Sequence, residues 1–451
     1  MQLPVELLAA LSHVKGFDRS AFETVHQSGE QVTSIRLNPF KPSESLKDLY
    51  ESPLPWCSHA WYLKERPFFT FDPVFHGGAY YVQEASSMFL WYLLQQITGT
   101  ATAGKNVLDL CAAPGGKSTL LSTYFADGLV VSNEVIKSRS AILVENLTKW
   151  GQPNVVVTNN DPDHFSKLEG FFDVIVVDAP CSGSGLFRKD PAAIEEWSEQ
   201  NVQHCSQRQE RILASILPAL KEDGLLIYST CSYSVEEDER IADWLVLEKD
   251  MESLPVTVPA EWNIVQTEAE QTGATGFRFY PNRVKGEGFF VAAFRKKTAT
   301  TAPRYKELQL VSPTRSEAAL LQAFYPIPEG YATFKQQEAI RLFPASYMNA
   351  LRQLASALYI KKAGIEIGSI KGKDLIPSHE LAVSILDKSG LRVVTVDKDQ
   401  ALQYLRRKEL RLEARVGWCL LQYGGVCLGW VKVLPNRINN YYPAEWRILK
   451  D

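Results

Sequence analysis

Cysteine is scarce in this chain: seven among 451 residues, an odd number, with no C-x-x-C pair. That excludes a disulfide framework, and the seven histidines show no zinc-ligand spacing either. No apolar run approaches the roughly 20 residues of a membrane span. The start, Met1 to Ala10, carries Glu6 and no basic leader region. The expectation is a cytoplasmic protein with no membrane partner and no metal. Internal repeats and low-complexity tracts are lacking too. So is any overall positive charge: the net charge is −4, which by itself argues against nucleic acid. The average hides an asymmetry. Residues 301–451 hold 22 Lys and Arg against 14 Asp and Glu, leaving −12 on the first 300. A basic C-terminal third on an acidic body predicts a separate module that meets phosphates.

What is present centres on Val107-Leu108-Asp109-Leu110-Cys111-Ala112-Ala113-Pro114-Gly115-Gly116-Lys117-Ser118. This reads as a buried strand, a small-residue turn and the start of a helix. Such a turn lets backbone N–H groups approach a ligand, and the helix N-terminus favours an anion. Two nucleotide chemistries use it. A P-loop needs G-x-x-x-x-G-K-[ST], and its first glycine falls on Cys111. The alternative is the first turn of an S-adenosylmethionine-dependent methyltransferase.

Beyond the turn the pattern alternates strand and helix, which predicts a parallel α/β sheet. Each apolar strand delivers a polar or reactive group at its carboxyl end. These ends are Asp109 with the turn itself, Glu134 after 129–133, Asn159-Asn160-Asp161 after 155–157, Asp178-Ala179-Pro180-Cys181 after 174–177, and Ser229-Thr230-Cys231-Ser232 after 225–228. Ligands bind at that edge in open α/β sheets, and an acid ending the second strand is placed to bind ribose hydroxyls. Residues 276–280 and 288–294 read as two further strands, making a seven-stranded mixed sheet. Ahead of it, Gln83-Glu84-Ala85-Ser86-Ser87 opens an apolar helix, with a serine available as cap. Residues 1–82 read as an N-terminal α+β extension for RNA. Its Ser34–Pro39 stretch carries a basic residue, and Trp56, Trp61, Phe68, Phe69 and Phe71 read as core rather than base-stacking surface. The catalytic domain is expected over 83–297, a linker over 298–316, an α-rich intermediate domain over 317–388 and a small β-barrel over 389–451.

Cys181 and Cys231 end neighbouring strands in polar turns where nothing needs a buried thiol. The other cysteines read as small buried hydrophobes. A thiolate is a strong nucleophile once a base or a lowered pKa activates it. Adding one to C6 of a pyrimidine makes C5 nucleophilic enough to take a methyl group, and a second thiol can assist breakdown of the adduct. An acid such as Asp178 would stabilise the charge building on the ring. A P-loop enzyme has no use for this pair, so the methyltransferase reading stands. Chemistry alone leaves either cysteine as the attacker.

The runs Cys111–Lys117, Asp178-Ala179-Pro180-Cys181-Ser182-Gly183-Ser184-Gly185 and Ser229-Thr230-Cys231-Ser232 resemble those of the RNA 5-methylcytosine methyltransferases of the Nol/Nop/Sun type. Gln83–Ser87, Phe187-Arg188-Lys189-Asp190-Pro191 and Gly288-Phe289-Phe290 fall in the matching order. The resemblance covers roughly residues 30–297. It implies a class I, Rossmann-like methyltransferase fold, S-adenosylmethionine as cofactor, Cys231 as nucleophile and Cys181 as the group that releases the adduct. It also implies cofactor contacts from Cys111, Ala112, Ala113, Pro114, Gly115, Gly116, Lys117, Glu134, Asp161 and Asp178, with Lys117 and Asp178 near the target base as well. Gly429-Trp430-Val431-Lys432-Val433 and Asn436–Pro443 resemble the PUA-like tail of bacterial RsmF-type members, which act on cytosines of small-subunit (16S) ribosomal RNA. The partner implied is ribosomal RNA or the small subunit, and a monomer is expected. The competing class is a non-catalytic RNA-binding assembly factor on the same fold. Such a factor would have lost a nucleophile or broken the cofactor loop, and neither has happened here.

Overall fold

The structure is a computed structural model, describing residues 2–300 and 304–450. Apolar runs form strands Asn106–Asp109, Leu129–Asn133, Val155–Thr158, Phe172–Asp178 and Leu220–Thr230, all parallel. Successive side chains alternate between the faces, so Val107, Val130 and Val174 enter one core cluster while Leu108, Val131 and Ile175 enter the other. Burial on both faces explains why these strands read as continuous apolar runs. Asn106–Asp109 is central, with Leu129–Asn133 on one side and Phe172–Asp178 on the other. The order reverses at that point, which opens a crevice at the carboxyl ends. Phe289–Lys296 runs antiparallel beside Leu220–Thr230, and Thr275–Phe279 follows. These are the seven expected strands. Three short ones, Met251–Ser253, Val265–Glu268 and Ile360–Ala363, widen the sheet to ten.

The N-terminal extension is α+β as expected. Helices Val5–Leu11 and Arg19–Gln27 bury Leu7, Leu8, Leu11 and Phe22 against Phe187, Tyr233 and Tyr280 of the catalytic domain. Tyr50–Pro53, Ala60–Leu63, Ser34–Leu37 and Tyr80–Val82 form an antiparallel sheet in that order. Trp56 packs edge-on against Trp262 and Phe279, and Phe69 is buried, so these aromatics are core. Phe68 is not: it stands 84% exposed. The helix Phe89–Thr98 follows a short 3-10 turn, Ser86–Met88, and has no side-chain cap of its own. The expected serine cap is absent there because the carboxylate of Glu84 does the work. It accepts from the backbone N–H groups of Ser86 and Ser87, at 2.9 and 2.8 Å.

The intermediate segment departs from expectation. Residues 317–388 are not α-rich: Tyr331–Gln336, Ala339–Pro344, Ile365–Lys371 and Asp374–Pro377 form a four-stranded antiparallel sheet between helices. The β-branched run Ile360 to Ile370 carries the strand signal, and pairing across the sheet overrides the helical look of the flanking segments. Ile360–Ala363 even joins the edge of the catalytic sheet beside Val155–Thr158. The expected linker holds no helix or strand up to Thr314, and its Thr301, Ala302 and Pro303 lie outside the described residues. At the C-terminus, Val393–Thr395, Gly417–Tyr423, Val426–Leu434 and Arg437–Asn440 form a third four-stranded sheet beside helix Lys398–Leu405. The two C-terminal units share one core, in which Leu342 and Ile365 pack with Leu420 and Trp430. The Trp430 indole N–H donates to the Ser378 carbonyl at 2.8 Å.

Lys41 fastens these parts together. Its buried ammonium donates to the carbonyls of Gly77 and Lys149, at 2.9 and 2.5 Å, and to that of Val383. Burial, with Lys388 nearby, pushes its pKa well below the usual lysine value. Lys41→Met strands three buried carbonyls from three parts of the chain, so the unfolding free energy should fall by about 3 kcal/mol. Urea denaturation measures it; an unchanged midpoint would show that these carbonyls find other donors.

Candidate active site

The turn after Asn106–Asp109 is shaped by its sequence. Gly115 caps helix Gly116–Tyr124 at φ 117°, a conformation that glycine adopts without strain. The turn is held from outside: the Arg139 guanidinium donates to the Ala113 carbonyl and the Asn146 amide to that of Pro114, both at 2.8 Å. A residue from the N-terminal sheet reaches in as well. Arg36, fully buried, donates to the Gly116 carbonyl at 3.1 Å, to Thr119 Oγ1 at 2.5 Å and to Gln83 Oε1 at 3.0 Å. It also lies over the Trp150 ring at 4.6 Å. Burial lowers its pKa only to about 10, so the guanidinium stays charged at neutral pH. The basic residue noticed in the sequence therefore grips the turn, not RNA.

A cavity of about 270 Å³ lies against this turn. It brings together Cys111, Ala112, Ala113, Pro114, Gly116, Lys117, Asp178 and Cys231. Gly115, Glu134, Asp161 and Cys181 do not line it. Glu134 is buried at the end of its strand, where one carboxylate oxygen accepts from the Ile136 N–H at 2.9 Å and the other is 3.8 Å from Arg139. Asp161 is exposed and accepts from the Asp163 N–H at 3.1 Å. The Asn159 amide donates to the Glu134 carbonyl at 2.5 Å and to that of Val135 at 3.0 Å. Lys117 pairs with Asp178 at 2.8 Å, and Asp178 also accepts from Ser229 Oγ at 2.8 Å. The Cys111 thiol is pushed up by burial and by the surrounding Asp109, Asp178 and Glu134 carboxylates, as befits a packing residue.

The sheet brings the two predicted cysteines into contact, with Sγ–Sγ 2.8 Å. Cys181 is held far above the ordinary thiol pKa, first by that contact, then by burial and the negative charge of its neighbours. Their turns are fastened by a residue that the sequence reading missed. Glu237, buried, accepts from the Ser182 N–H at 2.8 Å, from Ser182 Oγ and Ser232 Oγ at 2.6 Å each, and from the Gln209 amide at 3.1 Å. Each serine directly follows one cysteine. Gly185 completes the joint: its N–H donates to the Cys231 carbonyl at 2.8 Å and its carbonyl accepts from Gly288 N–H at 3.0 Å. A Cβ there would lie 2.8 Å from the Cys231 oxygen, so the approach requires glycine. In the sequence Glu237 is one of four consecutive acids, Glu236 to Glu239, which look like a solvated run. Nothing in that run marks which acid turns inward.

Comparison with known proteins bears on what this arrangement is. Residues 98–295 match the family model for the 16S rRNA methyltransferase RsmB/F, residues 3–85 that for the N-terminal domain of RsmF, and residues 391–448 that for the RsmF PUA domain. The ribosomal RNA small subunit methyltransferase F of Psychromonas ingrahamii is 33% identical over 87% of this chain and 84% of its own. The chain belongs to this methyltransferase family. The Vibrio cholerae protein of the same name is 29% identical, over 91% of this chain and 90% of its own. A solved methyltransferase homologue from Pyrococcus horikoshii aligns with a TM-score of 0.52 at 28% identity, covering 65% of this chain and all (100%) of that one. The Rossmann-like fold, the PUA domain and dependence on S-adenosylmethionine follow from membership. The cavity fits that cofactor in its small-residue turn, which a ligand can approach closely.

Two predictions follow from the geometry. Glu237→Ala removes the acceptor shared by four buried donors, so methyl transfer should fall at least a hundredfold, at a cost of about 3 kcal/mol of stability. Activity beside a denaturation curve checks this, and Glu237→Gln should recover part of both. Asp109 gives a pH signature. Burial pushes its carboxyl up to about 7, outweighing the Ser118 hydrogen bond, so the folded state favours the protonated form. Its contribution is full below the unfolded value near 4 and is lost as pH rises through 7. Asp109→Asn should flatten stability against pH in that window by on the order of 4 kcal/mol. Parallel pH profiles for the two proteins would contradict it.

Proposed function

We propose that this chain methylates C5 of a cytosine in RNA, most directly small-subunit ribosomal RNA, through a covalent cysteine–C6 adduct. The observation that carries it is the pair of thiols in contact at the ends of adjacent strands, with Cys231 in the cavity. Only a chemistry that must both form and break a bond to sulfur makes use of two. The name shared by the relatives and the PUA domain support ribosomal RNA as substrate. The basic C-terminal module, residues 389–451, and the N-terminal extension, residues 1–82, would hold the RNA by its phosphates while the target base turns out of its stack.

In this reading Cys231 gives its proton to solvent and its thiolate Sγ adds to C6, while the C5–C6 π electrons move through C4 to N3. Lys117 and Asp178 stand as a fixed charge pair beside the ring where that charge builds. S-adenosylmethionine, when bound, supplies an electrophilic methyl group at C5. Once Cys231 is a thioether it no longer ionises, which removes the main influence holding the proton on Cys181. Cys181 then yields that proton to solvent and takes the one on C5. The C5–C6 double bond re-forms as the C6–S bond breaks, and Cys231 departs as thiolate. The Cys111–Lys117 turn, Glu134 and Asp161 are the residues that would hold the cofactor, with Asp178 between cofactor and base.

Trapping tests this. Cys181→Ala incubated with small-subunit ribosomal RNA should accumulate an SDS-resistant protein–RNA adduct, whereas Cys231→Ala and the double variant should form none. Bisulfite sequencing of RNA treated with the wild-type protein maps the cytosine. An adduct in Cys231→Ala alone would exchange the two roles. No adduct in either variant, with cofactor still bound, would favour the non-catalytic assembly factor.

A further inference from the structure

Two carboxylates at the cavity, Glu84 and Glu287, are not used by this mechanism. Glu287 is buried and lines the same cavity as Cys231, Lys117 and Asp178. Its backbone is fixed at both ends: its N–H donates to Glu84 Oε1 at 2.9 Å, and its carbonyl accepts from Ser86 Oγ at 3.0 Å. The next residue, Gly288, donates to Gly185, which in turn holds the Cys231 carbonyl. Yet Glu287 Oε2 is buried with no hydrogen-bond partner. The nearest cation, Arg188, stands 3.8 Å away and donates to the carbonyls of Gly286 and Glu30, at 3.1 and 2.6 Å, while its own Nε–H lacks a partner. A carboxylate at a cavity wall whose acceptor capacity the protein leaves unfilled can take a ligand that brings a donor.

Cytosine joined to ribose carries a single donor group on its base, the 4-amino group; N3 and O2 accept. Uracil places an oxygen at position 4 instead. Of the other charged side chains of the cavity, Lys117 and Lys189 are donors suited to N3 and O2, Asp178 is already paired to Lys117, and Glu84 already accepts from the Ser86, Ser87 and Glu287 N–H groups. The geometry points to Glu287 as the residue that reads the 4-amino group of the target cytosine and rejects uracil. This rests on the cytosine reading above and deepens it. Burial pushes the carboxyl up to about 7, with Glu84 adding to the rise and Arg188 and Lys189 opposing it. The charged form that accepts from an amine therefore gains as pH rises through neutrality. A carboxylate facing the O4 of uracil meets only repulsion, which is the discrimination that a buried polar group supplies most strongly.

The test is a cycle between protein and base, run in a Cys231→Ala background so that no adduct forms. RNA carrying cytosine at the mapped position is compared with the same RNA carrying 2-pyrimidinone, which lacks only the 4-amino group. The preference in Kd for cytosine should be about tenfold to a hundredfold with Glu287 present and should vanish in Glu287→Ala. S-adenosylmethionine titration shows whether the variant is folded; Glu287→Met, which keeps the side chain's length, replaces it otherwise. An equal preference with and without Glu287 overturns the inference. That failure is distinct from failure of the methyltransferase reading, which would show as wild-type protein that leaves every cytosine of the RNA unmethylated and would remove both.

Discussion

The buried carboxylate of Glu237 is the constraint on which the site depends. Two strands of a parallel sheet end next to each other, but their terminal turns are loops, and loops do not hold a sulfur–sulfur contact by themselves. Glu237 joins them by accepting from the serine after each cysteine, and Gln209 and Tyr228 close the network behind it. The far side of the Cys231 turn is anchored separately. Thr230 Oγ1 donates to Asp238 at 2.6 Å, and the buried Arg278 pairs with Asp238 and Glu239 while donating to the Tyr233 carbonyl at 2.8 Å. The acids that follow the Cys231 turn are thus its scaffold. They also set a cost: Glu237 has a raised pKa from burial in spite of its hydrogen bonds. Positioning here is obtained at the expense of stability, a common arrangement at catalytic sites.

The fold was legible where period and terminus agreed. Apolar runs bounded by turns named the five parallel strands, and each polar strand end marked a residue that the sheet carries to one edge. Because open α/β sheets bind ligands at that edge, Cys181 and Cys231 could be paired before any coordinates. Glu287 and Glu237 were not legible, for a physical reason. Each lies in a segment without period, and its burial comes from chain hundreds of residues away or from a turn whose shape is tertiary. Glu84 faces Glu287 across 203 positions. Propensity also misled over residues 317–388, where the strands are stabilised by one another and by the shared core with Trp430, which no local window contains.

Charge asymmetry was visible in the totals, but its arrangement was not. Arg36 shows why. A basic residue on a short strand reads as a phosphate contact, yet this one is sealed between the Trp150 ring and the first turn of the cofactor helix. It satisfies the Gly116 carbonyl and the Thr119 hydroxyl, groups of the same helix that the Cys111–Lys117 turn feeds. Phe68 of the same domain, by contrast, stays exposed, with the Phe71 ring 6.4 Å away.

That placement changes how the domains relate. The N-terminal sheet supplies Arg36 to the cofactor turn, and Tyr81, Val82 and Gln83 to the cavity wall. The helices before it bury Phe22 against Tyr233, two residues beyond Cys231. Lys41 ties the same extension to the C-terminal unit through the Val383 carbonyl. A module attached for RNA alone would meet the catalytic domain through a modest, polar interface. Here the extension contributes walls and anchors to the site itself. Its folding and the formation of the cofactor cavity are therefore one event, and a catalytic domain cut at residue 83 would lose the guanidinium that holds its central turn.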